Sequence, residues 1–379
     1  MPDQPARQLF TLVTEDGRLV LSVEPLEVPD PADDEVVVAM QAVPINPSDL
    51  GLLVAPADLS TARRETVDGH PALVADVAPA AKRYFAARTG QKLSAGNEGA
   101  GTVVAAGASE AAQALMGRVV TIVGGNMYRS HRVMKARNVV PLPEGAAPHE
   151  GASLFVNPMT VQAFLDTMEQ EGHTALVHTA AASNLGQMLA RLCVAKDVPL
   201  VAIVRSAAQR ETLTKLGLTH VVDSSTDGFM SDLIGAITTT GATLAFDAIG
   251  GGRMANDILI AMEQAQAKRG APYSVYGTTA HKQVYIYGRL DPSPQTLTAS
   301  YGMYWGVGGW LLTPRLASAG PERTMAMRRF AVEERNGIFA SQYTQTISLE
   351  DMIDPDIARA YDRKSTGQKY LVDPSRSGA

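Results

Sequence analysis

The most constraining stretch of this chain is GHTALVHTAAASNLGQMLARLCVAKDVPLVAIVRS, residues 172–206. It reads as a short apolar strand, a loop of small residues, an amphipathic helix and a second apolar strand ending at Arg205. Phosphates bind at turns of this kind because the first N–H groups of the helix point outward and the helix dipole favours negative charge. Small side chains let a pyrophosphate come close to the main chain. Of the usual glycine fingerprint only Gly186 remains, while Ala180, Ala181, Ala182, Ser183, Asn184 and Leu185 fill the other places. Serine and asparagine also suit an ordinary helix cap. The strand–helix–strand context is what favours a dinucleotide here.

The end of the second strand bears on which dinucleotide. A site for NAD places Asp or Glu there, against the ribose 2′-hydroxyl. This chain has Arg205 and Ser206, with Arg210 one helical turn further on. A guanidinium binds a 2′-phosphate through charge-assisted hydrogen bonds, whereas a carboxylate would repel it. The alternative is a solvated surface arginine; the pattern favours NADP(H).

Around this core the chain changes character along its length. From residue 9 to about 155 it reads as short valine-rich strands (LFTLV, EVVVAM, GTVVAAG, GRVVTIV) bounded by turn residues. Within that region Val54–Lys92 is Ala-rich and is expected to be an insertion, with a helix around Pro79–Arg88. From about residue 172 strands are expected at Thr174–His178, Leu200–Val204, His220–Asp223, Thr243–Asp247, Tyr273–Tyr276 and Val284–Gly288, with helical patterns between the first five. Six such strands form a doubly wound parallel sheet. The fold class is therefore α/β: a mostly β domain over 1–155, completed by 335–379, and a six-stranded doubly wound domain over 156–334. Ligands collect at the carboxyl ends of such strands, which draws attention to Tyr276 and Gly277 at the end of the expected fifth strand.

Composition narrows the partners. With 33 Lys+Arg against 39 Asp+Glu the formal net charge is -6, giving no electrostatic reason to bind nucleic acid or an anionic membrane. The N-terminus, MPDQPARQLF, lacks the apolar run of a signal peptide, and a cytoplasmic location is expected. The single cysteine, Cys193, lies in a helical pattern and reads as a buried, inert thiol. No two of the 7 histidines are paired at helical spacing, so no metal site is expected.

The order of several motifs resembles the medium-chain dehydrogenase/reductase family, which joins a GroES-like substrate domain to a Rossmann domain, over nearly the whole chain. QAVPINPSDL (Gln41–Leu50) looks like the family's Asn-Pro-x-Asp segment, and GNEGAGTVVAAG (Gly96–Gly107) like its Gly-x-Glu-Gly-x-Gly signature. VNPMTVQAFL (Val156–Leu165) looks like the entry to the cofactor domain. KLGLTHVVD, FDAIGG, VYGTT and the terminal STGQKYLV (Ser365–Val372) follow in the family's order. Zinc-dependent relatives carry Cys where this chain has Asn46 and His where it has Asn97, and their third ligand falls near Val156. The resemblance therefore points to the zinc-independent branch, near the NADPH:quinone oxidoreductases. It implies Asn46 and Thr160 beside the nicotinamide and its ribose, with Asn157 and Pro158 shaping the cleft or simply forming a helix-entry turn. It also implies a homodimer.

Without a Lewis acid to polarise a simple ketone, hydride must go to an acceptor that is already electron-poor, such as a quinone or a conjugated enone. Some relatives place a tyrosine shortly after Asn-Pro-Ser-Asp, where GLLVAPADL has none; Tyr84 is a substitute only if its helix faces the site. Asp247 reads as structural, and His178 is left without a role. The apolar GMYWGVGGWLL (Gly302–Leu312) lies beyond the last expected strand, as pocket lining or subunit contact. Two alternatives stay open: an enoyl-thioester reductase, and a protein that binds NADPH without turnover.

Overall fold

The computed structural model describes residues 5–55, 57–81, 85–363 and 369–377. The chain divides into two compact units, Met1–Val156 with Ala331–Ala379, and Asn157–Phe330.

The first unit is built on antiparallel strands. One sheet runs in the order Ala57–Val67, His70–Val77, Arg18–Pro25, Arg7–Val13, Leu93–Ser94. The other runs Val139–Pro141, Val119–Val123, Glu98–Ala106, Glu35–Pro44, Tyr370–Val372, Gln345–Ile347, with His131–Lys135 also on Glu35–Pro44. Their inward-facing valines, leucines and methionines, among them Leu9, Leu21, Val38, Met40, Leu73 and Val103, form one buried cluster. The strand Tyr370–Val372 brings the C-terminal segment into this core, pairing Leu371 with Pro44 and Val372 with Val43.

Val54–Lys92 differs from its expected form. Most of it is a β-hairpin, Ala57–Val67 and His70–Val77, turning through Asp68 and Gly69 in the left-handed region (φ 52° and 82°). Asp-Gly between two strands is the residue pair such a tight turn requires. Around Pro79–Arg88, where a helix is expected, the described residues hold 3₁₀ turns at Pro79–Ala81 and Ala86–Arg88 with Phe85 helical before the second; residues 82–84, Tyr84 among them, lie outside the described residues.

The second unit holds a six-stranded parallel sheet in the order His220–Asp223, Leu200–Val204, Leu176–His178, Leu244–Asp247, Lys282–Ile286, Trp305–Gly309. Numbered within the unit this is 3-2-1-4-5-6, the doubly wound order, with its switch point between Leu176–His178 and Leu244–Asp247. Val177, Val201, Ile203 and Ala245 pack with Ile258, Leu259 and Met262 of the helix Met254–Lys268. Strands covered on both faces read as unbroken apolar runs, as these do.

Two of the expected strands are displaced. Tyr273–Tyr276 is a loop, the fifth strand is Lys282–Ile286, and the sixth is Trp305–Gly309 inside GMYWGVGGWLL. Alternating bulk in APYSVYG imitated a strand, but Tyr273, Val275 and Tyr276 are all exposed. Among the described residues no helix is long and apolar enough to cross a membrane.

Candidate functional site

The carboxyl edge of the parallel sheet is assembled from loops with small residues. The strand ending at His178 turns into the helix Asn184–Ala195 through Thr179–Ser183. Ala180 takes a left-handed φ of 48°, a conformation glycine adopts more easily. Ala181 and Ala182 are buried, and the Ala181 N–H donates to the Ile203 carbonyl at 3.1 Å, tying the loop to the second strand. Ser183 caps the helix, its Oγ accepting from the Gly186 N–H at 3.1 Å. A Cβ at Gly186 would lie 2.2 Å from the Ala181 carbonyl oxygen, so only glycine lets the helix start pack on its own loop. Asn184 and Leu185, between cap and glycine, are half-buried in the first helical turn.

The second strand ends at Val204, and Arg205 and Ser206 follow it directly. Arg205 is exposed, and its backbone N–H donates to Gln209 Oε1 at 3.0 Å. Ser206 caps the helix Ala207–Lys215, and Arg210 sits on its first turn, half-buried. Arg205 and Arg210 thus flank a helix N-terminus at one strand end, with no carboxylate at position 205 or 206, and Arg210 also acts on the Asp223 carboxylate at the end of the next strand. This matches the chemistry of a dinucleotide with a 2′-phosphate.

Behind the loop Thr179 and Asp247 are fully hydrogen-bonded, whereas the buried His178 Nδ1 has no hydrogen-bond partner among the described residues. Thr179 Oγ1 donates to Asp247 Oδ1 at 2.7 Å and accepts from the Ala248 N–H at 2.8 Å. Asp247 also accepts from the Ile249 and Gly250 N–H groups, at 2.9 and 3.1 Å. Asp247 is therefore a clamp joining the first and fourth strand ends at the switch point. His178 is fully buried; burial pushes its imidazole down to about 3, so the ring is neutral, with Nε2 2.7 Å from the Tyr287 hydroxyl. Cys193 is buried, which pushes its thiol up to about 12 and leaves it unreactive.

Tyr276 and Gly277 need correcting. They lie in the loop before the strand Lys282–Ile286, at its amino end, where the Tyr276 carbonyl accepts from the Met303 N–H at 2.9 Å. Tyr287 and Gly288, which follow that strand, stand at its carboxyl end instead. Asn157, Pro158 and Thr160 all lie in the helix Val156–Gln170 and are buried. Asn157 and Pro158 belong to its first turn and do not precede it.

In the first unit Asn46 has unusual surroundings. It stands at the N-cap of the helix Pro47–Leu53, yet its side chain makes no cap hydrogen bond. Instead Nδ2 donates to Glu98 Oε1 at 2.8 Å, while the Asn46 backbone N–H is taken by Asp49 Oδ2 at 2.9 Å. Glu98 Oε2 accepts from the N–H groups of Phe155 and Val156, at 2.8 and 2.9 Å. Burial raises the Glu98 carboxyl above its ordinary range, opposed chiefly by the charge of Lys369. Burial, reinforced by Glu98, also raises Asp49, to about 7. Lys369 is buried too, which pushes its ammonium down to about 8 against the pull of Glu98 and Asp49. The side chain of Asn97 donates to Ser48 Oγ at 3.2 Å. Among the described residues no group of three or more His, Cys, Asp or Glu side chains is placed to hold a metal ion.

Sequence reasoning passed over Glu98, Asp49, Lys369 and Ser153. The first two lie inside the quoted motifs, but nothing in their neighbours announces that they are buried together. Lys369, in the quoted STGQKYLV, immediately precedes the strand Tyr370–Val372, more than 260 residues from Glu98 in the chain.

No family model matches the chain. It is 30% identical over 158 residues to the synaptic vesicle membrane protein VAT-1 homolog of Homo sapiens, covering 41% of this chain and 40% of that protein. It is 27% identical over 210 residues to the mitochondrial enoyl-acyl-carrier-protein reductase of Xenopus tropicalis, covering 54% and 52%. These alignments span about half or less of each curated relative. Solved structures match over the full length. A Mesorhizobium loti protein described as an NADPH:quinone reductase superposes with a TM-score of 0.70 at 22% identity, covering 99% of this chain and 100% of that one. The mitochondrial 2-enoyl thioester reductase heterodimer of Candida tropicalis gives 0.67 at 18%, covering 98% and 100%. The chain has the fold of the medium-chain dehydrogenase/reductases.

Proposed function

We propose that this protein is an NADPH-dependent reductase that delivers hydride, without a metal, to a conjugated electron-poor acceptor of the quinone or enone class. The observation that carries this reading is the switch-point edge of the parallel sheet, where the Ser183-capped helix start and the Arg205–Ser206–Arg210 strand end stand side by side. Bound NADPH supplies the hydride. The residues of this chain do the rest.

The loop Ala181–Gly186 offers main-chain N–H groups to the pyrophosphate, and Arg205 and Arg210 pair with the 2′-phosphate. Asn157, Thr160 and Asn46 orient the nicotinamide half, and buried neighbours exclude water. An acceptor that delocalises its developing charge needs only a proton from water or a nearby hydroxyl. The similarity to the Xenopus tropicalis reductase, which covers more of this chain than the VAT-1 homolog does, favours a second reading in which the acceptor is a 2-enoyl thioester. A homodimer is also proposed. The edge strand Trp305–Gly309 ends the sheet and is flanked by exposed Met303, Tyr304 and Leu311.

The test is an absorbance assay of NADPH and NADH consumption across quinones, enones and 2-enoyl thioesters. Turnover of quinones or enones with preference for NADPH is expected. Turnover of thioesters alone would transfer the assignment to the second reading. Tight NADPH binding with no turnover of any acceptor would leave a binding protein and overturn the catalytic reading.

A further inference from the structure

An asparagine at an N-cap ordinarily turns its side-chain oxygen onto the helix. Asn46 does not. Its amide faces Glu98, whose two oxygens together receive three N–H donors: Asn46 Nδ2 and the backbone groups of Phe155 and Val156. An oxygen that receives donors in this way acts as a carboxylate, and a carboxylate only accepts. The amide must therefore present its nitrogen to Glu98. Asn46 Oδ1 is left buried, with no hydrogen-bond partner among the described residues. An unpaired buried acceptor costs about 1–3 kcal/mol and calls for an explanation.

The groups around Glu98 decide whether it stays an acceptor. Asp49, Tyr128 and Tyr343 face the cluster, and a negative neighbour favours protonation of Glu98. Lys369 opposes it with positive charge. Its Nζ is tethered to Ser153 Oγ at 2.7 Å, and the Tyr343 hydroxyl donates to the same oxygen at 2.8 Å.

We propose that Lys369 and Glu98 are positioning residues for Asn46: Lys369 keeps Glu98 an acceptor, Glu98 holds the amide nitrogen, and Asn46 Oδ1 is thereby offered to an O–H or N–H donor of the bound ligand. The inference rests on the proposed reductase reading only for what that ligand is. If Glu98 takes up a proton, the lock is released and the amide is free to turn.

The experiment is NMR of the full chain labelled with ¹⁵N-asparagine, with the Asn46 side-chain signals identified by their loss in Asn46→Asp. These signals are expected to move on the acid side as Glu98 protonates. Lys369→Met should raise the midpoint by about one pH unit or more, and Lys369→Arg should keep it near the wild-type value. In turnover, Lys369→Met should lower kcat and move the acid limb of the pH profile by the same amount, with KM for NADPH unchanged. A midpoint that does not move in Lys369→Met overturns the proposal. If that variant does not fold, Glu98→Gln and the wild-type titration decide it. Unchanged Asn46 signals in Glu98→Gln, or no movement in the wild type on acidification, overturn it equally.

The donor is then located by adding NADP⁺ alone, followed by a quinone. A shift with NADP⁺ assigns the donor to the dinucleotide, and one only after the quinone assigns it to the acceptor. No shift with either contradicts the offered oxygen. Failure of the reductase reading has a different signature: calorimetry detects no NADPH while the pH midpoint and its Lys369→Met displacement persist.

Discussion

The two units build their candidate sites from opposite materials. At the edge of the parallel sheet the loop Ala180–Gly186 has small, neutral side chains, and the groups proposed to bind are its main-chain N–H donors with Arg205 and Arg210 beside them. The buried polar side chains Thr179 and Asp247 are saturated with hydrogen bonds. In the β unit the site is made of side-chain charge taken out of water: Glu98, Asp49 and Lys369, with the oxygen of Asn46 left over. A backbone cradle tolerates the loss of most glycines provided that its replacements stay small, as Ala180, Ala181 and Ala182 show. A buried charge cluster has no such latitude, since each member sets the protonation of the next.

The contrast can be broken at its tightest point first. In Gly186→Ala the new Cβ would meet the Ala181 carbonyl oxygen at 2.2 Å. Thermal unfolding should show a loss of about 3 kcal/mol, with NADPH affinity falling tenfold or more. A variant as stable and as tightly binding as the wild type would mean that the loop is not the close-packed cradle described.

The β unit gives a smaller effect with a definite sign. Asp49 has its folded carboxyl raised from 3.8 to about 7. Between those values the folded chain keeps a proton that the unfolded chain has released, so stability falls as pH rises through that window. The slope is at most about 1.4 kcal/mol per pH unit. His178 acts in the opposite direction: depressed to about 3, it loses stability as pH falls below its ordinary value. Asp49→Asn should therefore remove a downward slope between about pH 4 and 7, read as the difference in unfolding free energy from wild type across that range. An equal offset at every pH would show that Asp49 is ionised in the folded protein. The smallest effect is expected at Tyr276, where Tyr276→Ala should leave NADPH affinity within about twofold, by calorimetry, because the residue stands at the amino end of its strand. A tenfold loss would restore it to the site.

How much of this was legible in the sequence follows from the same contrast. Strand–loop–helix–strand at residues 172–206 announced itself because a phosphate cradle is written in side-chain size and apolar period, both local properties. The places of Ser183 and Gly186 at the helix start and of Arg205 and Arg210 at the second strand's end follow from it. Where local pattern misled, tertiary burial had the decisive role. The alternation in Tyr273–Tyr276 belongs to an exposed loop, while the glycine-rich WGVGG, poor in strand formers, is the sixth strand because it pairs along Lys282–Ile286. The hairpin at Asp68–Gly69 is readable from its turn residues, but the Ala-rich character of Val54–Lys92 points only to an insertion with a helix at Pro79–Arg88. Glu98 and Lys369 were not readable at all. Their meeting depends on a C-terminal strand pairing with Glu35–Pro44; the family resemblance implies that this segment returns to the β domain, but not which side chain it brings to Glu98.

The most direct test of the central claim is a calorimetric titration of NADPH and of NADH into the wild-type protein and into Arg205→Ala. The wild type should bind NADPH more tightly than NADH. The substitution should weaken NADPH by roughly ten- to a hundredfold, the worth of a charge-assisted contact, and leave NADH nearly unchanged. Equal affinity for the two dinucleotides in the wild type, or equal losses for both in the variant, would contradict a 2′-phosphate at Arg205.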